Sequence, residues 1–199
     1  MMWEVGIDEA GRGPLAGPVA VGLVRIPTGF DLRDVFPRLN DSKKLSEKVR
    51  EELFGLLEER VVLGDLSYAV VLRDASTIDA QGIAVVIRDA IAEGLSELLP
   101  EPGAATVMLD GALRAPALYT QETIIKGDSR IPSIMLASIA AKVTRDRYME
   151  TMAKEYPQYQ FERHKGYGTK LHQELLRTHG LCAIHRRSFI HLDRSRTEE

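Results

Sequence analysis

The stretch MWEVGIDEAGRGPLAGPVAVGLVRI, residues 2–26, decides the fold class. MWEVGID reads as a short buried strand that stops at Asp8. VAVGLVRI, residues 19–26, is apolar and rich in β-branched residues, and reads as a second strand. Between them Asp8 and Glu9 stand side by side, followed by GRGPLAGP. Gly11, Gly13 and Gly17 permit backbone conformations and close approach that a side chain forbids, and Pro14 and Pro18 fix the chain direction. Paired negative charge therefore sits beside a turn that only small residues can make. The turn lacks the G-x-x-x-x-G-K-[ST] spacing of a phosphate-binding P-loop.

Working outward, apolar runs alternate between the two periods. Ser46 is a plausible N-cap for a helix with Val49, Leu53, Leu56 and Leu57 on one stripe. VVLGDLSYAVVL (61–72) reads as a strand. Residues 78–99 read as one long helix, with Ile83, Ile87, Ile91, Leu95 and Leu98 spaced at three and four. ATVMLD (105–110) is a strand stopping on Asp110, and QETIIKGD (121–128) is a strand stopping near Asp128. Pro132 opens a helix to about Tyr156. LHQELLRTHG (171–180) is a last helix with Gly180 as its C-cap. Strands alternating with helices predict an α/β class with a mixed central sheet flanked by helices. The expected division is an α/β domain over 1–155 and a separate C-terminal lobe over 156–199.

Composition narrows the chemistry. The chain has 199 residues, enough for one sizeable core. One cysteine, Cys182, excludes an internal disulfide framework and a cysteine-based zinc site, and fits a reducing cytoplasm. No run approaches a membrane span, and MMWEVGIDEAG lacks the order of a secretory signal. Charge is unevenly placed. Residues 126–199 carry 14 basic and 9 acidic side chains, and residues 1–125 carry 12 and 20. The five histidines all lie after residue 126, at 164, 172, 179, 185 and 191, without the tight spacing of a metal set. An acidic part that holds metal and a basic part that meets a polyanion fit this distribution.

Three apolar strands each end in acid: Asp8, Asp110 and Asp128. Ligands of α/β sheets gather where strand ends open into loops. Carboxylates brought within a few ångströms repel, and a cation relieves that repulsion. Hard oxygen ligands select Mg²⁺ or Mn²⁺ over zinc, and two such ions suit phosphodiester hydrolysis. Two carboxylates alone would also suit glycoside hydrolysis, but the single tryptophan, Trp3, gives little for a sugar-stacking cleft. Simple turn-capping by each acid stands as the bland alternative.

The motifs IDEAGRGPLAGPV, NDSKKLSEKVREEL, LDG at 109–111, IIKGDSRIPSI, ASIAAKVTRDRYM, HKGYGTKLH and GLCAIHRRSF together resemble ribonuclease HII, the bacterial type 2 ribonuclease H. They run in family order from residue 4 to about 190. The resemblance implies a ribonuclease H-like fold for the catalytic domain, with a small helical C-terminal lobe, and a divalent-metal endoribonuclease. It implies cleavage of the RNA strand of RNA–DNA hybrids, and incision 5′ to single ribonucleotides in duplex DNA, leaving 3′-hydroxyl and 5′-phosphate ends. It implies that Asp8, Glu9, Asp110 and Asp128 bind the metals, that Gly11, Arg12 and Gly13 contact the ribonucleotide 2′-hydroxyl, and that Tyr167 stacks on the next deoxyribose. Lys43 resembles a family lysine near the active site. Lys165, Lys170, Arg186 and Arg187 are expected to meet phosphates. Lys142, Arg145 and Asp146 are expected to form an ion-pair cluster under the site, and His164 and His185 to be structural or phosphate-facing.

Departures are confined to loop detail. GALRAP follows Asp110 where relatives commonly place a polar asparagine after the glycine, and IMLASIAAK is more apolar than usual. The expected partners are nucleic acid and no membrane, with the chain acting as a monomer. HLDRSRTEE (191–199) shows no evident sliding-clamp motif, and no separate hybrid-binding domain is expected ahead of Met1. A non-catalytic nucleic-acid-binding module remains the rival class.

Overall fold

The computed structural model describes residues 2–99 and 101–190. Five strands form one sheet: β1 (Trp3–Ala10), β2 (Val19–Pro27), β3 (Ser67–Arg73), β4 (Ala105–Asp110) and β5 (Thr120–Ile124), in the order β3-β2-β1-β4-β5. The turn at 11–18 joins β1 and β2 as antiparallel neighbours, with Ile7 opposite Leu23. β4 lies parallel to β1, with Ile7 opposite Leu109, and β5 lies parallel to β4. The sheet is mixed, as the alternation of elements predicts. The helices are α1 (Leu32–Val35), α2 (Glu47–Val62), α3 (Ala75–Gln81), α4 (Ile83–Leu98), α5 (Pro132–Glu155), α6 (Phe161–His164) and α7 (Lys170–His179).

Alternation along the strands sorts residues between two cores. Val5 and Ile7 of β1, Val19, Val21 and Leu23 of β2, and Val107 and Leu109 of β4 pack with Val86, Ile87, Ile91 and Leu95 of α4. The opposite face meets α5, with Val24, Ile26, Met135, Leu136 and Ile139 in one cluster with Leu53, Phe54 and Leu57 of α2. A strand with both faces covered has no solvent side, which is why MWEVGID and VAVGLVRI read as apolar runs rather than alternations.

The seat of α5 depends on two glycines. A Cβ on Gly6 would lie 2.2 Å from the backbone carbon of Ser133, and one on Gly22 would lie 2.3 Å from the carbonyl oxygen of Ala137. Helix backbone rests on strand backbone, closer than any side chain allows. Gly6 and Asp8 point to the same face of β1, so the closeness that excludes a methyl group at residue 6 also covers Asp8.

Four boundaries differ from the sequence reading. The first strand does not stop at Asp8 but runs on through Glu9 to Ala10, paired with β2 as far as Ala20. Residues 61 and 62 belong to α2, because helix hydrogen bonding continues past these β-branched residues, and β3 begins only at Ser67 after Gly64 turns at φ 82°. The helix expected over 78–99 is two helices. Gly82 adopts φ 83°, ending α3, which Asp74 caps, and starting α4. The strand expected over 121–128 stops at Ile124. Lys126 is left-handed at φ 56°, and residues 127–129 form a 3-10 turn that carries Asp128. Ser46 does cap α2, accepting from the amide of Val49, and Gly180 ends α7 at φ 72°.

Beyond α5, Tyr159, Phe161 and Leu176 cluster with Met149 of α5 and with Ala16 of the first turn. The amides of Leu15 and Ala16 both donate to the carbonyl of Gly166, at 2.9 and 3.3 Å. Among the described residues no helix is long and apolar enough to cross a membrane.

Gly6→Ala is expected to force α5 off the sheet and cost about 3 kcal/mol, lowering Tm by roughly 6–12 °C. Thermal unfolding followed by circular dichroism checks this. A change of less than about 2 °C would refute the close seat of α5.

Candidate active site

Parallel pairing of β1 and β4 sets the site. Asp8 and Asp110 each follow one residue after the paired Ile7 and Leu109, so both leave neighbouring strands on the face that α5 covers. The 3-10 turn after β5 adds Asp128. Carboxylate oxygens of Asp8, Asp110 and Asp128 all lie within 4.8 Å of one another. The amide of Asp128 donates to Oδ1 of Asp110 at 3.3 Å, tying the turn to the strand end. Lys43 Nζ sits 2.7 Å from Oδ2 of Asp128, while most of the lysine side chain stays exposed.

Asp8 is the most confined of the three. Burial raises its pKa to about 7, and the charges of Glu9 and Asp110 push the same way. Hydrogen bonds from Ser138 and from the amide of Glu9, the latter at 2.8 Å, oppose the rise. A carboxylate that resists ionisation beside two others fits a site that receives a cation. The donor set is oxygen only, which suits Mg²⁺ or Mn²⁺.

Glu9 stands apart from this triad. Successive strand residues point to opposite faces, so Glu9 leaves Asp8's side of β1. Its carboxylate pairs with Arg12 at 3.3 Å. Burial raises its pKa, Arg12 lowers it, and the charge of Asp110 adds to the rise, so Glu9 remains within electrostatic reach of the cluster. Of the four acids expected to share one pocket, three meet and the fourth is held at the edge by Arg12.

The turn beside the acids divides its glycines by role. Gly11 has φ 82°, and a Cβ there would lie 2.0 Å from Nε of Arg145, so the fold itself requires glycine. A Cβ on Gly13 would meet nothing within 4 Å, and its φ lies outside the left-handed range. The fold does not need glycine there, and the open space is available to a ligand.

Tyr167 is 43% exposed, and the guanidinium of Arg145 lies 5.6 Å from the centre of its ring. Three buried histidines support its backbone. The amide of Cys182 donates to Nδ1 of His185 at 2.9 Å, which places the ring proton on Nε2. That proton faces Nε2 of His172 at 3.1 Å, and Nδ1 of His172 then donates to the carbonyl of Tyr167 at 3.0 Å. His164 stacks on His172, takes the amide of Gly166 on Nδ1 and donates from Nε2 to the carbonyl of Tyr159. Burial pushes the pKa of both His172 and His185 down to about 4, in keeping with neutral rings.

Several basic residues are placed otherwise than expected. Arg186 is fully buried and bonds only to backbone carbonyls, so the expected direct contact with phosphate is corrected: its guanidinium has no path to solvent. His164 and His185 are buried too, so of their two expected roles only the structural one stands. Arg145 does not join the expected ion-pair cluster. Lys142 and Asp146 pair at 2.7 Å, whereas Arg145 donates to the carbonyls of Pro18 and Ala16. Lys165 is held by Glu150 at 2.7 Å, while Lys170 is exposed. His191 lies outside the described residues.

Sequence reading missed Ser138, Lys44 and Lys126. Ser138 is buried in α5 between Asp8 and Ser42, whose hydroxyl is 2.8 Å away. A polar residue in the apolar run IMLASIAAK was its only signal. Lys44 and Lys126 line the same cleft as Lys43, Asp110 and Asp128, and adjacency to matched motifs was the only hint of either.

Solved structures place this architecture among the ribonuclease H-type enzymes. Ribonuclease HII of Archaeoglobus fulgidus, solved as a complex with PCNA, superposes with a TM-score of 0.73 at 25% identity, covering 98% of each chain. Ribonuclease H2 of Pyrococcus horikoshii gives 0.72 at 25% identity, over 94% of this chain and 93% of that one. Bst-RNase HIII in complex with Mn²⁺ gives 0.64 at 17% identity, over 90% of this chain and 63% of that one, a likeness of fold. The family model for ribonuclease HII matches residues 5–192. The enzymes named ribonuclease HII from Endomicrobium trichonymphae and Ruminiclostridium cellulolyticum are 46% and 47% identical over 92% and 93% of this chain, which spans 83% and 69% of their lengths. The chain belongs to the ribonuclease HII family and is an endonuclease of the ribonuclease H type.

A raised carboxylate pKa means that the folded state holds the proton more tightly than the unfolded chain between pH 3.8 and about 7, so this group's contribution weakens stability as pH rises through that window. Asp8→Asn in EDTA is therefore expected to be more stable than the parent at pH 8 by about 1–3 kcal/mol, with the difference vanishing near pH 4. Thermal scans at the two pH values decide; equal stability at pH 8 would contradict the confinement of Asp8.

Proposed function

We propose that this chain hydrolyses the phosphodiester on the 5′ side of a ribonucleotide, both in RNA–DNA hybrids and at single ribonucleotides within duplex DNA, leaving 3′-hydroxyl and 5′-phosphate ends. The observation that carries the reading is the convergence of Asp8, Asp110 and Asp128 within 4.8 Å beside a turn whose Gly13 borders open space. Asp8, Asp110 and Asp128, with Glu9 at the edge, would hold Mg²⁺ or Mn²⁺. A divalent ion held there would supply activation of water and stabilisation of the leaving oxygen.

The remaining steps belong to the protein's side chains and backbone. DNA and RNA present the same phosphates, so phosphate contacts give affinity without distinguishing them. Lys43, anchored on Asp128 yet exposed along its stem, meets the backbone next to the acids. The 2′-hydroxyl is the chemical difference between the two nucleic acids. Gly11, Arg12 and Gly13 read it with main-chain groups, and Gly13 lets the sugar approach without a methyl group between. Arg12 keeps Glu9 in place. Tyr167, exposed above Arg145, packs on the following deoxyribose, where a second 2′-hydroxyl would intrude. Residues 156–199 act as a C-terminal lobe that brings Tyr167 to the substrate, and the chain works as a cytoplasmic monomer.

The assay is incubation with a duplex carrying one internal ribonucleotide, with Mg²⁺ or Mn²⁺. A cut 5′ to it supports the reading, and tight binding without cleavage in either metal supports a binding module instead. Asp110→Asn is expected to lower kcat by about 100-fold or more with Tm little changed, as read by gel-resolved cleavage and thermal unfolding. Gly13→Ala separates folding from reading. It is expected to keep Tm within about 2 °C while lowering kcat/KM roughly tenfold or more, and unaltered cleavage would remove the turn from sugar recognition.

A further inference from the structure

Arg186 reaches the first turn across the sequence. Nη2 donates to the carbonyl of Gly11 at 2.7 Å, Nη1 to that of Arg12 at 3.0 Å, and Nε to that of Gly17 at 2.9 Å. Its own amide donates to the carbonyl of Leu15 at 2.8 Å. The side chain is 0% exposed and meets no carboxylate among the described residues. All three guanidinium nitrogens are spent on orienting one turn. A buried cation is costly to place, and here carbonyl dipoles and the ring face of Phe189, 5.2 Å from the guanidinium carbon, compensate it.

Peptide planarity converts those bonds into a direction. In a trans peptide the carbonyl and the following N–H point opposite ways, and no cis peptide is present among the described residues. With the carbonyls of Gly11 and Arg12 drawn inward to Arg186, the amides of Arg12 and Gly13 are turned outward. Both residues are exposed, and neither amide has a protein acceptor among the described residues. The outer side of Gly13 is open.

We propose that Arg186 is a positioning residue for ribose recognition. It fixes the peptide planes of residues 11–13 so that two N–H donors face outward, and it thereby sets discrimination between ribonucleotide and deoxyribonucleotide without touching the substrate. The proposal rests on the reading of the turn given above. It replaces a phosphate contact, which burial forbids, with control of a main-chain donor pair.

The experiment measures Kd in EDTA for two duplexes of one sequence, all-DNA and with a single ribonucleotide, and takes their ratio. In the parent the ribonucleotide duplex is expected to bind about tenfold tighter or more. In Arg186→Lys, whose single ammonium cannot span three carbonyls, the ratio is expected to fall to near one with the all-DNA Kd within about twofold of the parent. A residue that only stabilised the fold would weaken both affinities together and leave the ratio unchanged. An unchanged ratio in a cooperatively folding variant overturns the proposal. A ratio near one in the parent overturns instead the reading of the turn as a sugar reader. A second measurement needs no variant. In the parent, NMR resonances of the Arg12 and Gly13 amides are expected to shift with the ribonucleotide duplex and not with the all-DNA duplex, and equal shifts with both overturn the outward donor pair as the discriminating feature.

Discussion

Contact between the backbone of α5 and the glycines of the first two strands is the constraint from which the rest follows. Gly6 and Gly22 remove the side chains that would hold helix and sheet apart, and Ser133 and Ala137 take the space. The helix then roofs Asp8 and delivers Ser138 to it. Were α5 a few ångströms further out, Asp8 would be an ordinary solvated carboxylate, and the repulsion among three acids would be dissipated in water. Confinement makes the cluster incomplete without positive charge.

The architecture was legible where one pattern ruled. The strands over 3–8, 19–26 and 105–110, the first of which runs on to Ala10, and the N-cap at Ser46 all stand in the structure, because buried strands and capped helices announce themselves locally. The failures share a cause. Val61 and Val62 carry β propensity, but α2 keeps its hydrogen bonds through them. Gly82 interrupts an apolar stripe whose periodicity continues on both sides, so the stripe hides the break. Ile124 and Ile125 look like one strand with Asp128, yet a left-handed Lys126 turns the chain before the acid. Local propensity says little about where hydrogen bonding ends.

At the site, the sequence located the acids and the resemblance supplied the roles, while geometry sorted the basic residues. Nothing in HRRSF says that Arg186 points inward and Arg187 does not. That depends on which carbonyls wait without partners in a turn far earlier in the chain. Likewise the histidines show no spacing of note, since His164, His172 and His185 meet only after α7 folds back. Each ring nitrogen in the group has a partner, Nδ1 of His185 meeting both the amide and the thiol of Cys182, so the cluster works as fixed neutral scaffolding under Tyr167.

The bond between Arg186 and Gly11 joins residues 175 positions apart, and this gives the protein a temporal order. As the chain leaves the ribosome, the two antiparallel strands and their turn are made first, and the acid cluster can gather once β4, β5 and α5 follow. The carbonyls of Gly11 and Arg12 still lack their guanidinium until residue 186 emerges. A nascent chain thus carries its acid cluster and its first turn well before the guanidinium that ties the carbonyls of that turn together.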